Sequence, residues 1–219
     1  MPFRIILADD SPLVRAGARL LGAENLPCVD ETVSTPNDLF RALEEKHFDV
    51  LITDLQLRVV DAFGLIDSIR KQHKDIKIIL YSSMVQPTTV ARGAAHGCFD
   101  VVFKAGNVDK LVHSIQSLEN GRPRPESPLN RFEKLLQSDI LGWKPDGPTS
   151  FTKRELQIVF LLSLGLSNRE ISGCLAISLE TTKEHVQNLL KKFKYSDRGT
   201  IGVWAIKNKI PQLEIIDTD

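Results

Sequence analysis

The stretch that decides the fold of the first half is Arg4–Ser11, RIILADDS, in which an apolar run leads directly into two adjacent aspartates. Similar short apolar runs recur at 29–33, 48–53, 76–82 and 99–103. Segments with apolar residues at helical spacing alternate with them, at 12–22, 36–47, 62–73, 87–97 and 107–119. Strand and helix alternating five times is typical of a parallel sheet with helices on both faces. We therefore predict a five-stranded, doubly wound α/β domain over residues 1–120.

Polar residues stand at the carboxyl ends of these predicted strands. Asp9 and Asp10 follow the first, Asp54 follows the third, Ser82 ends the fourth and Lys104 follows the fifth. In an open parallel sheet these ends share one edge, where ligands bind. Converging carboxylates repel one another unless a cation neutralises them, and Mg²⁺ prefers such oxygen ligands. A hydroxyl and a lysine are donors that a phosphoryl group needs, which predicts Mg²⁺-dependent phosphorylation with Asp54 as nucleophile.

The alternative for each residue alone is an ordinary exposed strand end or a helix cap. Five such groups at one sheet edge favour a functional site over five coincidences. A phosphatase that uses an aspartyl nucleophile is a further alternative. Enzymes of the haloacid dehalogenase type have a second aspartate two residues after the nucleophile, and Gln56 stands there instead. We therefore expect a regulator that is not an enzyme.

The second half of the chain changes character at residue 121. Residues 121–148 contain five prolines and three glycines around a polar helical piece, Leu129 to Leu141, which indicates an interdomain linker. The pattern from residue 149 onward is entirely helical. Thr152 and Glu155 form a capping-box sequence, and the predicted starts of the next three helices are Ser167, Ser178 and Ser196. The predicted boundaries are 1–120, 121–148 and 149–219.

Residues 168–187 predict a helix-turn-helix, with the turn at Ala176–Ser178. The buried stripe of the second helix is Val186, Leu189, Leu190 and Phe193. The opposite face carries Lys183, Glu184, Gln187, Asn188 and Lys191. Such a helix can enter the major groove of double-stranded DNA, although many charged helix faces are simply solvated. His185 has no second metal ligand nearby, so packing or a phosphate contact is the expected role.

The composition is that of a globular protein, with 42% hydrophobic and 26% charged residues and no net charge. Residues 1–120 carry 13 Lys and Arg against 16 Asp and Glu, whereas residues 151–210 carry 10 against 5. Two modules with different partners are consistent with this asymmetry. No apolar run approaches the roughly 20 residues that span a bilayer. Together with three widely spaced cysteines, this predicts a cytoplasmic protein without a membrane partner.

The segments ILADDSPLVRAG, DVLITDLQL, IILYSS and VVFKAG resemble the receiver domain of bacterial two-component response regulators. The resemblance covers residues 3–120 and implies a flavodoxin-like fold in which a sensor histidine kinase phosphorylates Asp54. It also implies that Asp9, Asp10, Asp54 and the backbone carbonyl of Gln56 bind Mg²⁺. In the same family Ser82 corresponds to the switch hydroxyl and Lys104 to the phosphate partner.

Residues 151–201 resemble the LuxR-type DNA-binding domain of the NarL/FixJ class, through T-x-R-E, GLSNREI and T-x-K-x-H-V-x-N-L-L-K-K. The resemblance implies a recognition helix at about 178–192 and a homodimer in the active state. Lys183, Glu184 and Gln187 would face the bases. The expected backbone contacts are Thr181, His185, Asn188 and Lys191. Glu184 replaces a residue that is often hydrophobic, and an acid there prefers the amino group of cytosine.

Two departures from the family pattern concern the receiver. After the phosphoacceptor, the usual Met-Pro-Gly and then Asp-Gly are replaced by Leu57-Arg58-Val59-Val60-Asp61-Ala62, and Val101 stands where an aromatic switch residue is common. They leave a second function open, which is a phosphorylation-independent DNA-binding or adaptor protein with a degenerate receiver. The leading interpretation is a transcription regulator controlled by phosphorylation of Asp54.

Overall fold

The computed structural model describes residues 3–21, 28–57, 61–105, 108–145 and 150–213. They form two compact units. The first contains the described residues up to Val85 together with Gly97–Ser127, and the second contains Gln86–His96 and the described residues from Pro128 onward. Residues 58–60 of the altered loop and residues 146–148 of the predicted linker lie outside the described part.

The first unit is built on one parallel sheet with the strand order β2-β1-β3-β4-β5. Its strands are β1 (Ile5–Ala8), β2 (Glu31–Val33), β3 (Val50–Thr53), β4 (Lys77–Ser82) and β5 (Asp100–Phe103). The helices between and after them are α1 (Pro12–Leu21), α2 (Pro36–Glu45), α3 (Ala62–Gln72), α4 (Pro87–Ala95) and α5 (Asp109–Ser117), of which α4 groups with the second unit. This order is that of the flavodoxin-like doubly wound fold, so the predicted fold class is confirmed.

Both faces of the sheet are buried. Successive side chains of each strand point to opposite faces, so burial of every residue of β1 and β3 shows that both faces are covered. Ile5, Leu7 and Ile52 pack on one face against Ala18 of α1 and apolar residues of α5. Strand residues whose side chains point to the opposite face are buried as well, namely Ile6, Leu51 and Ile78. This continuous burial explains why the strands are nearly uninterrupted apolar runs.

The second unit is helical. Besides α4 it contains α6 (Pro128–Gln137), α7 (Lys153–Ser163), α8 (Asn168–Leu175), α9 (Leu179–Phe193) and α10 (Arg198–Lys207). Thr152 and Glu155 form a reciprocal capping box at the start of α7, and Ser178 caps α9 through the Thr181 amide. Ala176 adopts the left-handed conformation that ends α8 and begins the turn to α9. The predicted helix-turn-helix is therefore present.

Ser196 does not begin the last helix as predicted. The N-cap of α10 is Asp197, whose Oδ1 accepts hydrogen bonds from the amides of Gly199, at 2.8 Å, and Thr200, at 3.3 Å. A carboxylate that reaches two amides also lies favourably at the positive end of the helix dipole. The helix therefore begins one residue later than predicted.

Close helix approaches in the second unit depend on two glycines. A Cβ at Gly202 of α10 would lie 2.6 Å from the carbonyl oxygen of Leu162 in α7. A Cβ at Gly173 of α8 would lie 2.3 Å from the carbonyl oxygen of Ala95 in α4. Larger side chains at either position would force the paired helices apart.

The predicted linker is largely folded. Helix α6 buries four apolar side chains, namely Leu129, Phe132, Leu135 and Leu136. The ring of Phe132 lies 6.1 Å from that of Phe160 in α7, and the Gln157 amide donates to the carbonyl of Leu136 at 3.1 Å. The helix ends at Gln137 and a short 3₁₀ turn occupies Asp139–Gly142, so the predicted helical piece is two elements. Within the described ranges, no helix has the length and apolar character needed to cross a membrane.

Candidate metal centre and nucleic-acid interface

The register of the sheet brings the predicted acidic residues to one edge. Ala8 pairs with Thr53, so the next residue of each chain segment, Asp9 and Asp54, leaves the sheet at the same level. The amide of Asp54 donates to the carbonyl of Ala8 at 3.0 Å, which holds the two segments together. Asp9 is 1% exposed and Asp54 4% exposed, while Asp10 is partly buried. Carboxylate oxygens of these three aspartates lie within 4.8 Å of one another.

Lys104 connects two of these carboxylates from the end of β5. Its Nζ lies 2.6 Å from Asp9 Oδ2 and 2.5 Å from Asp54 Oδ2. Burial alone would lower the pKa of Lys104, but the hydrogen bonds and charges of Asp54 and Asp9 outweigh burial and raise it above the usual lysine value. Lys104 therefore stays charged near neutral pH, and its ammonium lies where it can contact an anion attached to Asp54.

The remaining acceptors fit a divalent cation. Asp54 Oδ1 is buried and lacks a hydrogen-bond partner among the described residues, which is costly for a carboxylate oxygen. Among the described residues, Lys104 contacts two of the three carboxylates, and its one positive charge offsets only part of their combined negative charge. Hard oxygen ligands with one unused buried acceptor match Mg²⁺, which binds proteins through few carboxylates and keeps other positions for water or phosphate. The residues present therefore fit the metal that the sequence predicts.

Ser82 is the last residue of β4, and Gln56 lies in the segment that follows β3. Ser82 is completely buried, its Oγ accepts from the Met84 amide at 3.3 Å, and its carbonyl accepts from the Lys104 amide at 2.9 Å. The exposed side chain of Gln56 contacts the Met84 sulfur at 3.4 Å. Ser82 is thus joined to the backbone of Lys104, whereas the Gln56 side chain points toward the loop after β4.

Two neighbours of the acidic edge were not predicted from the sequence. Lys104 Nζ lies 5.7 Å from the centre of the Tyr81 ring, and burial raises the pKa of this tyrosine. Arg15 of α1 donates from Nη1 to the carbonyl of Asp9 at 2.7 Å. Both residues stand in ordinary strand and helix patterns, so their proximity appears only after the chain folds.

The predicted reading face of α9 is exposed. All five of its residues are solvent-accessible: Lys183, Glu184, Gln187, Asn188 and Lys191. The opposite side packs into the domain through Val186 and Leu189, with Leu190 and Phe193 partly buried. Thr182 belongs to this buried side too, and its hydroxyl donates to the carbonyl of Ser178 at 3.1 Å. The helix is therefore anchored along one side and accessible along the other.

The remaining predicted contacts lie at the margin of this face. Thr181 and His185 are partly buried, and the Thr181 hydroxyl is 2.9 Å from that of Ser178. Lys183 forms an exposed ion pair with Glu180 at 2.7 Å. Such pairs contribute little to stability and exchange readily for a stronger partner.

Lys192 is held inside the domain, in contrast to Lys183. Its Nζ bonds Glu155 Oε2 at 2.9 Å and the carbonyl of Ser150 at 2.7 Å, and lies 5.0 Å from the Phe151 ring. Through this contact the end of α9 is attached to the start of α7. Its role is therefore structural, which the run of lysines in the sequence does not reveal.

Comparisons with known proteins agree with both halves of the molecule. Residues 5–116 match the response regulator receiver domain, and residues 149–205 match the bacterial regulatory proteins of the luxR family. The transcriptional regulatory protein LiaR of Bacillus subtilis is 30% identical over 210 residues, covering 94% of this chain and 98% of that protein. The nitrate/nitrite response regulator protein NarP of Escherichia coli is 26% identical over 200 residues, covering 90% and 91%.

A solved structure shares the fold along most of the chain. It is that of RcsB from Salmonella enterica serovar Typhimurium bound to promoter rprA in the presence of a phosphomimetic, with 22% identity, a TM-score of 0.55, and coverage of 93% of this chain and 98% of that one. Strand order, acidic edge, helix-turn-helix and these matches agree on one family. The chain belongs to the NarL/FixJ class of two-component response regulators, with a receiver domain followed by a LuxR-type domain.

Proposed function

We propose that the protein is a transcription regulator whose DNA binding is controlled by Mg²⁺-dependent phosphorylation of Asp54. The observation that carries the proposal is the buried cluster in which Lys104 bonds both Asp9 and Asp54, while Asp54 Oδ1 has no hydrogen-bond partner in the described part of the chain. A buried carboxylate in this setting has one oxygen held by the lysine and one available for bond formation.

The phosphoryl donor in this proposal is a phosphohistidine of a sensor histidine kinase. An oxygen of Asp54 forms the new bond to phosphorus, the phosphorus–nitrogen bond breaks, and its electron pair stays on the imidazole nitrogen. Asp9, Asp10, Asp54 and the Gln56 carbonyl would hold Mg²⁺, whose charge lowers the repulsion between carboxylates and donor. Lys104 pairs with the phosphoryl oxygens, and the Ser82 hydroxyl offers a donor on the neighbouring strand.

In the same proposal α9 lies in the major groove of double-stranded DNA. Lys183, Glu184 and Gln187 contact base edges, with Glu184 accepting from a cytosine amino group. The proposed backbone contacts are Thr181, His185, Asn188 and Lys191. A single helix-turn-helix makes few base contacts, so we propose a homodimer on paired half-sites as the active form.

The names of the relatives support this function without assigning a target. LiaR is named a transcriptional regulatory protein and NarP a response regulator. The proposed protein regulates transcription in the cytoplasm and does not turn over an external substrate. Gln56 stands where a phosphatase of the haloacid dehalogenase type has its second catalytic acid, which agrees with a protein that does not turn over a substrate.

Intact-protein mass spectrometry with a small-molecule phosphodonor tests the phosphorylation step. We expect one phosphoryl addition that requires Mg²⁺, is absent in Asp54→Ala and is reduced in Asp10→Ala. Asp75→Ala, which changes an exposed aspartate of the same unit, is the matched control and should be labelled like the wild type. An addition that persists in Asp54→Ala would show that another residue is the acceptor.

A further inference from the structure

The first seven residues of the predicted linker, Gly121–Ser127, read GRPRPES and have the composition of an exposed tether. Two of their side chains are nevertheless buried in the first unit, with Arg124 exposing 6% of its surface and Ser127 none. Both contact Asp100, the first residue of β5, which is itself completely buried. A segment that buries an arginine against the sheet does not behave as a free tether.

The contacts satisfy both oxygens of the buried carboxylate. Arg124 Nε donates to Asp100 Oδ2 at 3.0 Å, and its Nη2 reaches the carbonyl of Val101 at 3.4 Å. Asp100 Oδ1 accepts from the Ser127 hydroxyl and from the Val101 amide. Burial raises the pKa of Asp100, and Arg124 and Ser127 oppose that rise. Because an isolated buried charge is very costly, Asp100 and Arg124 each depend on the other.

The sequence of the segment favours this docked conformation. Pro123 and Pro125 flank Arg124, and each fixes its own φ and restricts the residue before it. Fewer conformations are therefore lost when the segment docks. A turn follows, closed by the Ser127 amide bonding the Arg124 carbonyl at 2.9 Å, and Pro128 then begins α6. The docked segment ends where the helical unit begins.

The strand that receives this segment also carries the phosphate partner. Asp100 stands at the amino end of β5 and Lys104 follows its carboxyl end, where it bonds Asp54. One four-residue strand is thus attached to the phosphoacceptor at one end and to the linker at the other. Although β5 is an edge strand, its residues Asp100–Val102 are fully buried, and a dense, stiff interior transmits displacement.

We propose that Arg124 and Ser127 fasten the linker to β5 through Asp100, and that this attachment carries the change at Asp54 to α6 and the DNA-binding domain. The coupling part rests on the proposed function, in which phosphorylation of Asp54 controls DNA binding. With the segment fastened, movement of β5 reaches Pro128 directly. With the segment released, seven residues of free chain would absorb it.

Hydrogen exchange of the full-length protein tests the fastening without any phosphodonor. We compare the wild type with Arg124→Met and Asp100→Asn, and use Arg122→Met, an exposed arginine of the same segment, as the control. Exchange in 121–127 should rise by about tenfold or more in both variants and stay unchanged in the control. The double variant Asp100→Asn/Arg124→Met should add little to either single change and buries no charge, so it serves if a single variant unfolds.

Exchange of 121–127 at the rate of an unstructured peptide in the wild type, or no response to the Arg124→Met and double variants, would overturn the fastening.

The coupling is then measured as the ratio of DNA affinities with and without phosphorylation, in variants whose phosphoryl uptake is intact. In the variants that release segment 121–127 from Asp100, this ratio should fall to within about twofold of one, while Arg122→Met keeps the wild-type ratio. A full ratio in the released variants would overturn the coupling. If phosphorylation does not change the DNA affinity of the wild type, the proposed function is contradicted. The attachment of the linker to β5 is then tested by the exchange data alone.

Discussion

The acidic edge of the sheet and the reading face of α9 carry charge in opposite ways. At the edge, Asp9 and Asp54 are buried and share one lysine, so each group depends on its neighbours. On α9, residues such as Gln187 and Lys191 are exposed and stand on a helix that is anchored from behind. The first arrangement is a coupled network and the second is a set of separable contacts.

This difference has a physical origin. In a low-dielectric site the interaction between charges is strong, and removing one partner leaves the others uncompensated. On a solvated face water and salt screen each charge, so single changes stay local. Substitutions at the edge should therefore alter stability and chemistry together, whereas substitutions on α9 should alter DNA binding alone.

The largest effect is expected for Lys104→Met. Loss of the ammonium leaves the buried carboxylates of Asp9 and Asp54 without their shared cationic partner, which should lower the free energy of unfolding by about 3 kcal/mol in metal-free buffer. Added Mg²⁺ should recover part of that loss, because it neutralises the same carboxylates. Denaturant unfolding measures both values. Lys74→Met, at an exposed lysine, should change stability by less than about 0.5 kcal/mol, and an equally small effect of Lys104→Met would show that the edge is not a coupled network.

Changes on α9 should be smaller and should leave stability intact. Lys183→Ala or Gln187→Ala should reduce discrimination between the target and a mutated site by about 1–3 kcal/mol. Lys191→Ala should weaken binding to all sequences alike and lower the slope of affinity against salt by about one ion. DNA titrations at several salt concentrations separate the two behaviours. A uniform loss for Gln187→Ala would show that this side chain contacts backbone and not bases.

The smallest effect concerns Glu155, which lies between these extremes because it is partly buried and bonds Lys192. Burial would raise its pKa, but the Thr152 amide and Lys192 outweigh burial and lower it. The charged Glu155 carboxylate therefore stabilises the fold above the ordinary glutamate pKa, and this stabilisation is lost as pH falls through the lowered pKa of Glu155. Glu155→Gln should cost about 1 kcal/mol near neutral pH, and the difference in stability should close as pH falls through the lowered pKa of Glu155.

Thermal unfolding across pH measures this gap. Glu180→Gln alters an exposed pair with Lys183 and should cost less than about 0.5 kcal/mol at any pH. A gap for Glu155→Gln that persists unchanged in acid would show that Lys192 holds α9 by packing alone.

The sequence was sufficient for the features that depend on local pattern. Apolar runs predicted all five strands, and since strand ends share one edge of a parallel sheet, they also predicted that Asp9 and Asp54 meet. The spacing of Thr152 and Glu155 predicted the cap of α7, because that bond forms between residues three apart.

Two features were not predicted: the choice between two neighbouring cap residues, and a contact between distant residues. Ser196 and Asp197 both have side chains that can cap a helix, and only the observed backbone shows that Asp197 does so. Arg124 looked like a tether residue because its partner, Asp100, lies 24 positions away. The local sequence around a charged residue in a proline-rich stretch does not identify the distant buried group that it neutralises. The roles of the reading-face residues remain predictions, since exposure alone does not specify a DNA contact.

DNA titration combined with sedimentation, performed with and without a phosphodonor in the presence of Mg²⁺, tests the central claim most directly. Phosphorylation of Asp54 should shift the protein toward a dimer and raise its affinity for paired half-sites by at least about fivefold, within the range of typical allosteric coupling. Asp54→Ala should respond to neither condition. A protein that is phosphorylated, remains monomeric and binds one half-site equally well in both states would contradict the account and favour the phosphorylation-independent DNA-binding function.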